Sequence, residues 1–416
     1  MKKAISLLIT AVILFSMASC GTKNEPKEKE VTTITVMAYR EYIQLVNTAA
    51  ANFQKNNEDV RIEIKDIEDF KDEEKMMENW KDNADIVLLP GVVSENLILN
   101  YEDNFESMNS YLGDYSDMFD KNRISPLISQ KKLKAIPINM EPVAFYYRKD
   151  KLKELNMEDK DIITWNDILN ANKGSENISL GVTLKGQMSV YYLLMNQLNC
   201  DYVDEKLEST LDSEESLKVI NLLRDLNKKG MLKIYENEDE LLAGAENGEI
   251  FAFLGTPQYL YKMKDKWDKE IWDLMKVPAF EPGGNRAIIV PGENMFLLSS
   301  SKNKELAAKF MIFMSGDKDT LLWSMKNLYL MPAYKPIYKN EIFDSGIAEL
   351  GNKKVYRFFE TIIKNSSSSS YNLKSAYIEK DIENNIKSII ENQEFINIIK
   401  GIKEKIDNML NENSAS

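Results

Sequence analysis

Carboxylates are the side chains best placed to do chemistry in this chain, because 66 of its 416 residues are Asp or Glu and none is histidine. The missing imidazole removes Ser-His-Asp and Cys-His nucleophile systems, histidine metal ligands and imidazole acid–base catalysis together. Glu141 is the acid with the most informative setting. It stands in LKAIPINMEPVAFYYRKD, residues 133–150, directly before Pro142 and shortly after Pro137. A residue preceding proline is pushed toward extended backbone, so Glu141 belongs to a strand or a crossover. A carboxylate there can accept hydroxyl hydrogen bonds in a shielded cleft. Paired with a second acid such as Glu293, it could instead serve glycosidic cleavage, with the two carboxyls about 5–10 Å apart. No motif marks such a pair.

The segment around Glu141 reads as a strand, a breaker and a second strand running into a charged helix. Ile136, Ile138 and Met140 alternate, as do Val143, Phe145 and Tyr147, before Arg148-Lys149-Asp150. Neither proline can donate a ladder hydrogen bond, so each is expected at an edge or where the chain crosses between units.

Upstream, Thr33–Met37 is expected as a strand, followed by a Tyr39–Tyr42 loop and an amphipathic helix through Val46, Ala49, Ala50 and Phe53. Val60–Ile64 alternates as a second strand, Glu73–Trp80 suggests a helix, and Ile86–Leu89 is a short apolar strand ending at Pro90-Gly91. This alternation implies a doubly wound sheet with ligand loops at the strand C-termini, here Tyr39–Tyr42 and Pro90–Ser94. Downstream, Thr164 with Asp167 forms a capping-box pattern, and Ile178–Val182 and Ile250–Leu254 read as strands. Gly255-Thr256-Pro257 then turns onto a helix, Met295–Leu298 is a strand, and Asn303–Met314 is an amphipathic helix. A serine tract at 366–370 precedes two final helical runs, 373–391 and 394–410.

The length calls for more than one core. A formal net charge of −13 argues against nucleic acid as a partner. The first residues form an address: Lys2-Lys3, an apolar run from Ala4 to Met17, then Ala18-Ser19 before Cys20. The run is shorter than the roughly 20 apolar residues a spanning helix needs. Residues 1–19 are therefore read as an export signal, and 20–31 as a charged flexible tether. Cys20 and Cys200 are the only cysteines. No histidine exists to activate Cys200, which is expected to be a small buried residue.

The placement of Cys20 after Met17-Ala18-Ser19 resembles a bacterial lipobox. With ITVMAY, ADIVLLP, IPINMEPVAFYYRKDKLKELNM, TWNDIL, LDSEESLKVINLLRDLNKKGML, AENGEIFAFLGTPQYL and KNKELAAKFMIFMSG in order, the chain resembles an extracellular solute-binding lipoprotein of an ATP-driven (ABC) importer, in the family of maltose-type and other sugar-binding proteins. The likeness extends over about residues 31–410. It implies an α/β, two-lobed periplasmic-binding-protein-like fold, each lobe a mostly parallel sheet flanked by helices, with three hinge crossings near 140–142, 282–290 and 331–336. It places 31–140 with 290–332 in an N-terminal lobe and 141–285 with 336–416 in a C-terminal lobe. By the same resemblance the protein is a monomeric receptor, not an enzyme, with no cofactor or metal. It would be held by lipid at Cys20 on the outer side of the membrane and deliver a small solute to an ABC permease.

Carried over residue by residue, the resemblance makes Glu141 a sugar-hydroxyl acceptor, puts Tyr39 and Arg40 in a ligand-lining loop, and makes Tyr371 an aromatic platform. Gln258 and Tyr259 fall where a stacking tryptophan is expected, Pro90–Val93 replaces an aromatic and charged stretch, and Met188 replaces another aromatic. Loss of platforms for pyranose faces weakens the oligosaccharide assignment. A carbohydrate stays first, with a smaller polar solute, a phosphorylated polyol or a peptide-like ligand beside it. Arg40 and Arg286 would favour an anionic ligand if both reached the cleft. A carboxylate glycosidase and a ligand-sensing lipoprotein without transport are the alternatives.

Overall fold

The computed structural model describes residues 31–414 apart from 69, 71, 172–178, 205, 207, 265, 267, 269 and 367–374. Cys20 and Tyr371 thus lie outside the described residues. The strands are β1 (Thr32–Ala38), β2 (Val60–Asp66), β3 (Ile86–Leu89), β4 (Ile128–Ser129), β5 (Lys132–Leu133), β6 (Ala135–Pro137), β7 (Asn139–Arg148), β8 (Leu180–Thr183), β9 (Leu232–Tyr235), β10 (Ala252–Gly255), β11 (Trp272–Met275), β12 (Ile288–Val290), β13 (Asn294–Leu297) and β14 (Met331–Pro332).

Two sheets organise the molecule. The first has the order β2-β1-β3-β13-β6, and the second β11-β7-β10-β8-β9. β1 pairs in parallel with β2 from Thr32↔Val60 to Ala38↔Asp66, and with β3. β13 then pairs antiparallel with both β3 and β6. In the second sheet β8 pairs in parallel with β9 and β10, while β7 is antiparallel to β10 and β11. Both sheets are therefore mixed, not mostly parallel. The reason is topological: a chain that passes from one sheet to the other and back inserts returning strands beside the parallel ones.

The long strand β7 joins the two lobes. Its C-terminal half lies in the second sheet. Its N-terminal half pairs with β12 (Val143↔Ile288, Pro142↔Ile289, Glu141↔Val290) and with β14 (Met140↔Met331, Asn139↔Pro332). Pro142 sits inside β7 opposite Ile289 of β12, before the residues that pair with β10 and β11, so it costs no bond to either.

Helices cover the sheets by burying one face each. The helix Tyr42–Gln54 buries Tyr42, Leu45, Val46, Ala49, Ala50 and Phe53, a 3–4 residue spacing on one side. The helix Glu214–Lys228 starts with Ser213 accepting from the Ser216 backbone N–H at 3.1 Å. Thr164 and Asp167 close the expected capping box: Asp167 Oδ2 accepts from the Thr164 N–H at 2.7 Å, and Thr164 Oγ1 from the Asp167 N–H at 3.3 Å.

Two expectations need correction. Residues 90–94 are not a loop, because a helix, Gly91–Tyr101, begins directly after Pro90. Gly91 permits this: a Cβ there would lie 2.3 Å from Pro291 Cβ, so only glycine lets the helix start against that turn. The helix Val355–Asn365 was also not anticipated, although Val355, Tyr356, Phe359 and Ile362 have helical spacing and are buried. Among the described residues no helix is long and apolar enough to cross a membrane.

Candidate functional site

The ends of β1, β6, β10 and β13 and the start of β7 converge at the seam between the lobes. Side chains there form a compact hydrogen-bonded group. Glu141 and Asn139 project from the same face of β7, since alternate strand residues share a face. Asn139 Nδ2 donates to Glu141 Oε1 at 2.5 Å and to Tyr42 Oη at 3.3 Å, while Asn139 Oδ1 accepts from the Glu293 backbone N–H at 2.8 Å. Tyr39 Oη donates to Glu293 Oε1 at 3.1 Å. The Gln258 side-chain amide, from the second lobe, donates to the Tyr42 hydroxyl of the first. Gln44 Nε2 reaches Tyr261 Oη at 3.3 Å across the same seam.

Backbone geometry fixes these positions. The approach of the two crossing segments is so close that a Cβ on Gly292 would stand 2.5 Å from Asn139 O and 2.7 Å from its Oδ1. Arg123 clamps the same segments from below. Its Nε donates to Asn139 O at 2.9 Å and its Nη2 to Glu293 O at 2.8 Å. Burial lowers the Arg123 pKa to about 10, against the opposing pull of Glu293, Glu95 and Glu141.

The electrostatics of the seam are those of acids held out of water. Glu141 is 2 % exposed and Glu293 5 %. Burial, then the Glu293 charge, pushes the Glu141 carboxyl well above its ordinary range, with Thr256 hydrogen bonding and Lys262 opposing. Burial likewise raises Glu293, partly offset by hydrogen bonds from Tyr42, Asn139 and Tyr39. Glu293 Oε2 has no hydrogen-bond partner among the described residues. One buried carboxyl oxygen of the pair is thus left without a partner among the described residues, and a buried acceptor in that state is costly.

The residues singled out from sequence fall differently. Glu141, Tyr39 and Gln258 belong to this seam. Arg40 is exposed with φ +47°, at the turn after β1. Tyr259 is 2 % exposed and packs its ring against Tyr146 and Phe253, so it is core and not a free platform. Arg286 does not reach the seam: its guanidinium is spent on the carbonyls of Val277, Ile162 and Lys276. Cys200 is half-buried with its thiol pKa raised by burial, an unreactive setting. Asn139 and Arg123 were not found from sequence, and Tyr42 was named only as the end of the expected ligand loop Tyr39–Tyr42. Asn139 stands two residues before Glu141 with the same strand parity, which is the signal that could have found it.

Met140 and Ile289 point the opposite way from Glu141. They face a cavity of about 850 Å³ between Arg123 on one lobe and the helix Val355–Asn365 on the other. The molecule thus has a polar seam and an open groove on opposite faces of one set of strands. Among the described residues no cluster of His, Cys, Asp and Glu could hold a metal ion.

Two lobes joined by adjacent strands, with polar groups from both meeting at the seam, define the class of two-lobed binding proteins. The chain belongs to the bacterial extracellular solute-binding protein family, whose model matches residues 37–320. That is a family of binding proteins, not of enzymes. Two curated relatives are arabinooligosaccharide-binding proteins. The one from Halalkalibacterium halodurans is 24% identical over 61% of this chain and 58% of its own length. The one from Bacillus subtilis is 22% identical over 50% of this chain and 51% of its own length. The chain thus spans just over half the length of the curated relatives it matches. In fold it is similar to the sugar-binding protein MalE from Xanthomonas citri, with TM-score 0.77 and 16% identity over 92% of this chain and 98% of the other.

Proposed function

We propose that this protein is a membrane-anchored extracellular receptor that binds a carbohydrate between its lobes and presents it to an ABC importer permease. The observation that carries the reading is the buried acid pair Glu141 and Glu293 at the seam, with Glu293 Oε2 left without a hydrogen-bond partner among the described residues. Sugar hydroxyls are donors of the right kind for such acceptors. A carboxylate accepting hydroxyl protons in a water-poor cleft makes a strong, orienting contact. In the present arrangement Tyr39, Tyr42 and Gln258 fill this place; separation of the lobes exposes it, and a ligand replaces their hydroxyl and amide groups. Arg40 and Tyr371 are proposed as further ligand contacts, the latter as an aromatic platform. The names of the curated relatives and of the MalE neighbour support a sugar as the class.

In this reading residues 31–140 with 290–332 move as one lobe and 141–285 with 336–416 as the other, about β7, β12 and β14. Hinge closure of this kind buries ligand from both sides. The segment before residue 31 supplies export and the lipid attachment at Cys20, where two or more acyl chains would hold the protein stably.

A thermal-shift screen against arabino- and malto-oligosaccharides, polyol phosphates, amino acids and peptides tests the ligand class. A ligand present at 100 times its Kd adds about 2.7 kcal/mol. Stabilisation by peptides or phosphates alone would overturn the carbohydrate reading, and hydrolysis of any oligosaccharide would favour the glycosidase alternative. Cys20→Ser should release the protein from the membrane into the medium; retention by the membrane would sink the anchor.

A further inference from the structure

The groove on the Met140 face is chemically unlike the seam. Its floor is apolar, made by Met140, Ile289, Pro291 and Ala333, with Tyr338 and Ile363 on the second-lobe wall. Its acids are already engaged. Glu360 pairs with Arg357 and with Lys364, the latter at 2.5 Å, and Arg357 also holds Asp344 at 2.8 Å. Asp120 accepts from the Asn122 backbone N–H at 2.9 Å as a helix cap. Glu95 lies at the deep end beside Arg123 and is 2 % exposed. At the rim stand Lys335 and Lys339, both exposed, and neither is ion-paired among the described residues.

The geometry points to this groove as a second ligand site, for a small amphipathic anion: an aromatic or branched apolar body carrying one carboxylate or sulfonate. An apolar body gains by leaving water against the Met140 and Ile289 floor. An anionic head gains at the rim, where Lys335 and Lys339 are unpaired, and is kept from the deep end by Glu95. A free sugar has neither advantage here, because the floor offers its hydroxyls no partner. A volume of about 850 Å³ falls within the span of about 300–1,000 Å³ usual for small-molecule sites. The site is distinct from the proposed solute contact, since the strands carry the two on opposite faces, with Arg123 adjoining both.

Titration with 1-anilinonaphthalene-8-sulfonate, an apolar anion of this class, tests it in the folded full-length protein. Saturable one-to-one fluorescence enhancement is expected. Lys335→Glu with Lys339→Glu, both exposed and outside the core, should weaken it at least tenfold, and Ile363→Trp should abolish it by filling the wall. The wild-type protein binding no probe, or the double variant binding it as tightly as wild type, would overturn the site. Either result leaves the carbohydrate reading untouched, because no sugar enters the experiment.

Discussion

Asn139 donates from its side-chain amide to the Glu141 carboxylate over 2.5 Å, two residues along the same strand. Its other side-chain atom accepts from the Glu293 backbone, so one amide orders both acids at the seam. Asn139→Asp should remove the amide donation to Glu141, keep an acceptor for the Glu293 N–H, and add a third buried acid. An isothermal titration is expected to show oligosaccharide affinity falling at least tenfold, with destabilisation of about 1–3 kcal/mol for the unsatisfied groups. Unchanged affinity would remove Asn139 from the site.

The raised carboxyls make stability depend on pH. Glu141 and Glu293 both have folded pKa values above the unfolded ones. The folded state then holds protons the unfolded chain has released. The stabilisation is complete below the ordinary carboxylate pKa and is lost as pH rises through the folded values. Melting temperature should therefore fall as pH rises above the ordinary carboxylate pKa. In Glu141→Gln, which cannot ionise, the fall should be shallower, with the variant the more stable at the alkaline end while binding sugar more weakly. Parallel pH profiles for wild type and variant would contradict this.

Arg123 satisfies carbonyls on both crossing segments from full burial. Arg123→Met leaves Asn139 O and Glu293 O without that donor. A loss of about 3–5 kcal/mol is expected in urea unfolding. A loss below about 1 kcal/mol, in the range of a surface pair, would show that the clamp is dispensable.

Tyr42 and Gln258 meet from opposite lobes. Tyr42→Phe removes the hydroxyl that also serves Asn139. If this contact holds the lobes together without ligand, the unliganded variant should be more open, with a larger radius of gyration by X-ray scattering than wild type. Equal radii would mean that the contact follows lobe approach and does not help set it.

Arg224 caps the end of the helix Ser375–Glu391, donating to Ile389 O at 2.6 Å and Ile390 O at 3.1 Å, with its guanidinium 4.0 Å from the Phe395 ring centroid. Arg224→Ala should accelerate amide exchange in the last two helices while leaving β1–β3 protected. Uniform acceleration across the chain would indicate a global loss instead.

The elements around the site were legible where pattern is local. Alternation in Ile136–Met140 and Val143–Tyr147, the capping box at Thr164, and the spacing in Tyr42–Phe53 each follow from residues a few positions apart. The helix after Pro90 was missed because its start depends on Gly91 fitting against Pro291, a residue 200 positions away. Tyr259 and Arg286 looked available for a ligand for the same reason in reverse. An aromatic or a cation is recognisable from its type, but its commitment to Phe253 or to the Val277 carbonyl is a tertiary fact.

By itself the sequence determined the class of chemistry, through acids without histidine, and the order of strands and helices, through periodicity and caps. It also placed Glu141 on an extended segment beside Pro142. Only the tertiary structure decided that Glu141 and Glu293 share one seam, that Arg123 and Asn139 hold them, and that a cavity with an apolar floor lies behind. Burial and partnership between segments some 150 residues apart are made by the packing of two lobes, and no local pattern encodes which side chains that packing leaves facing one another.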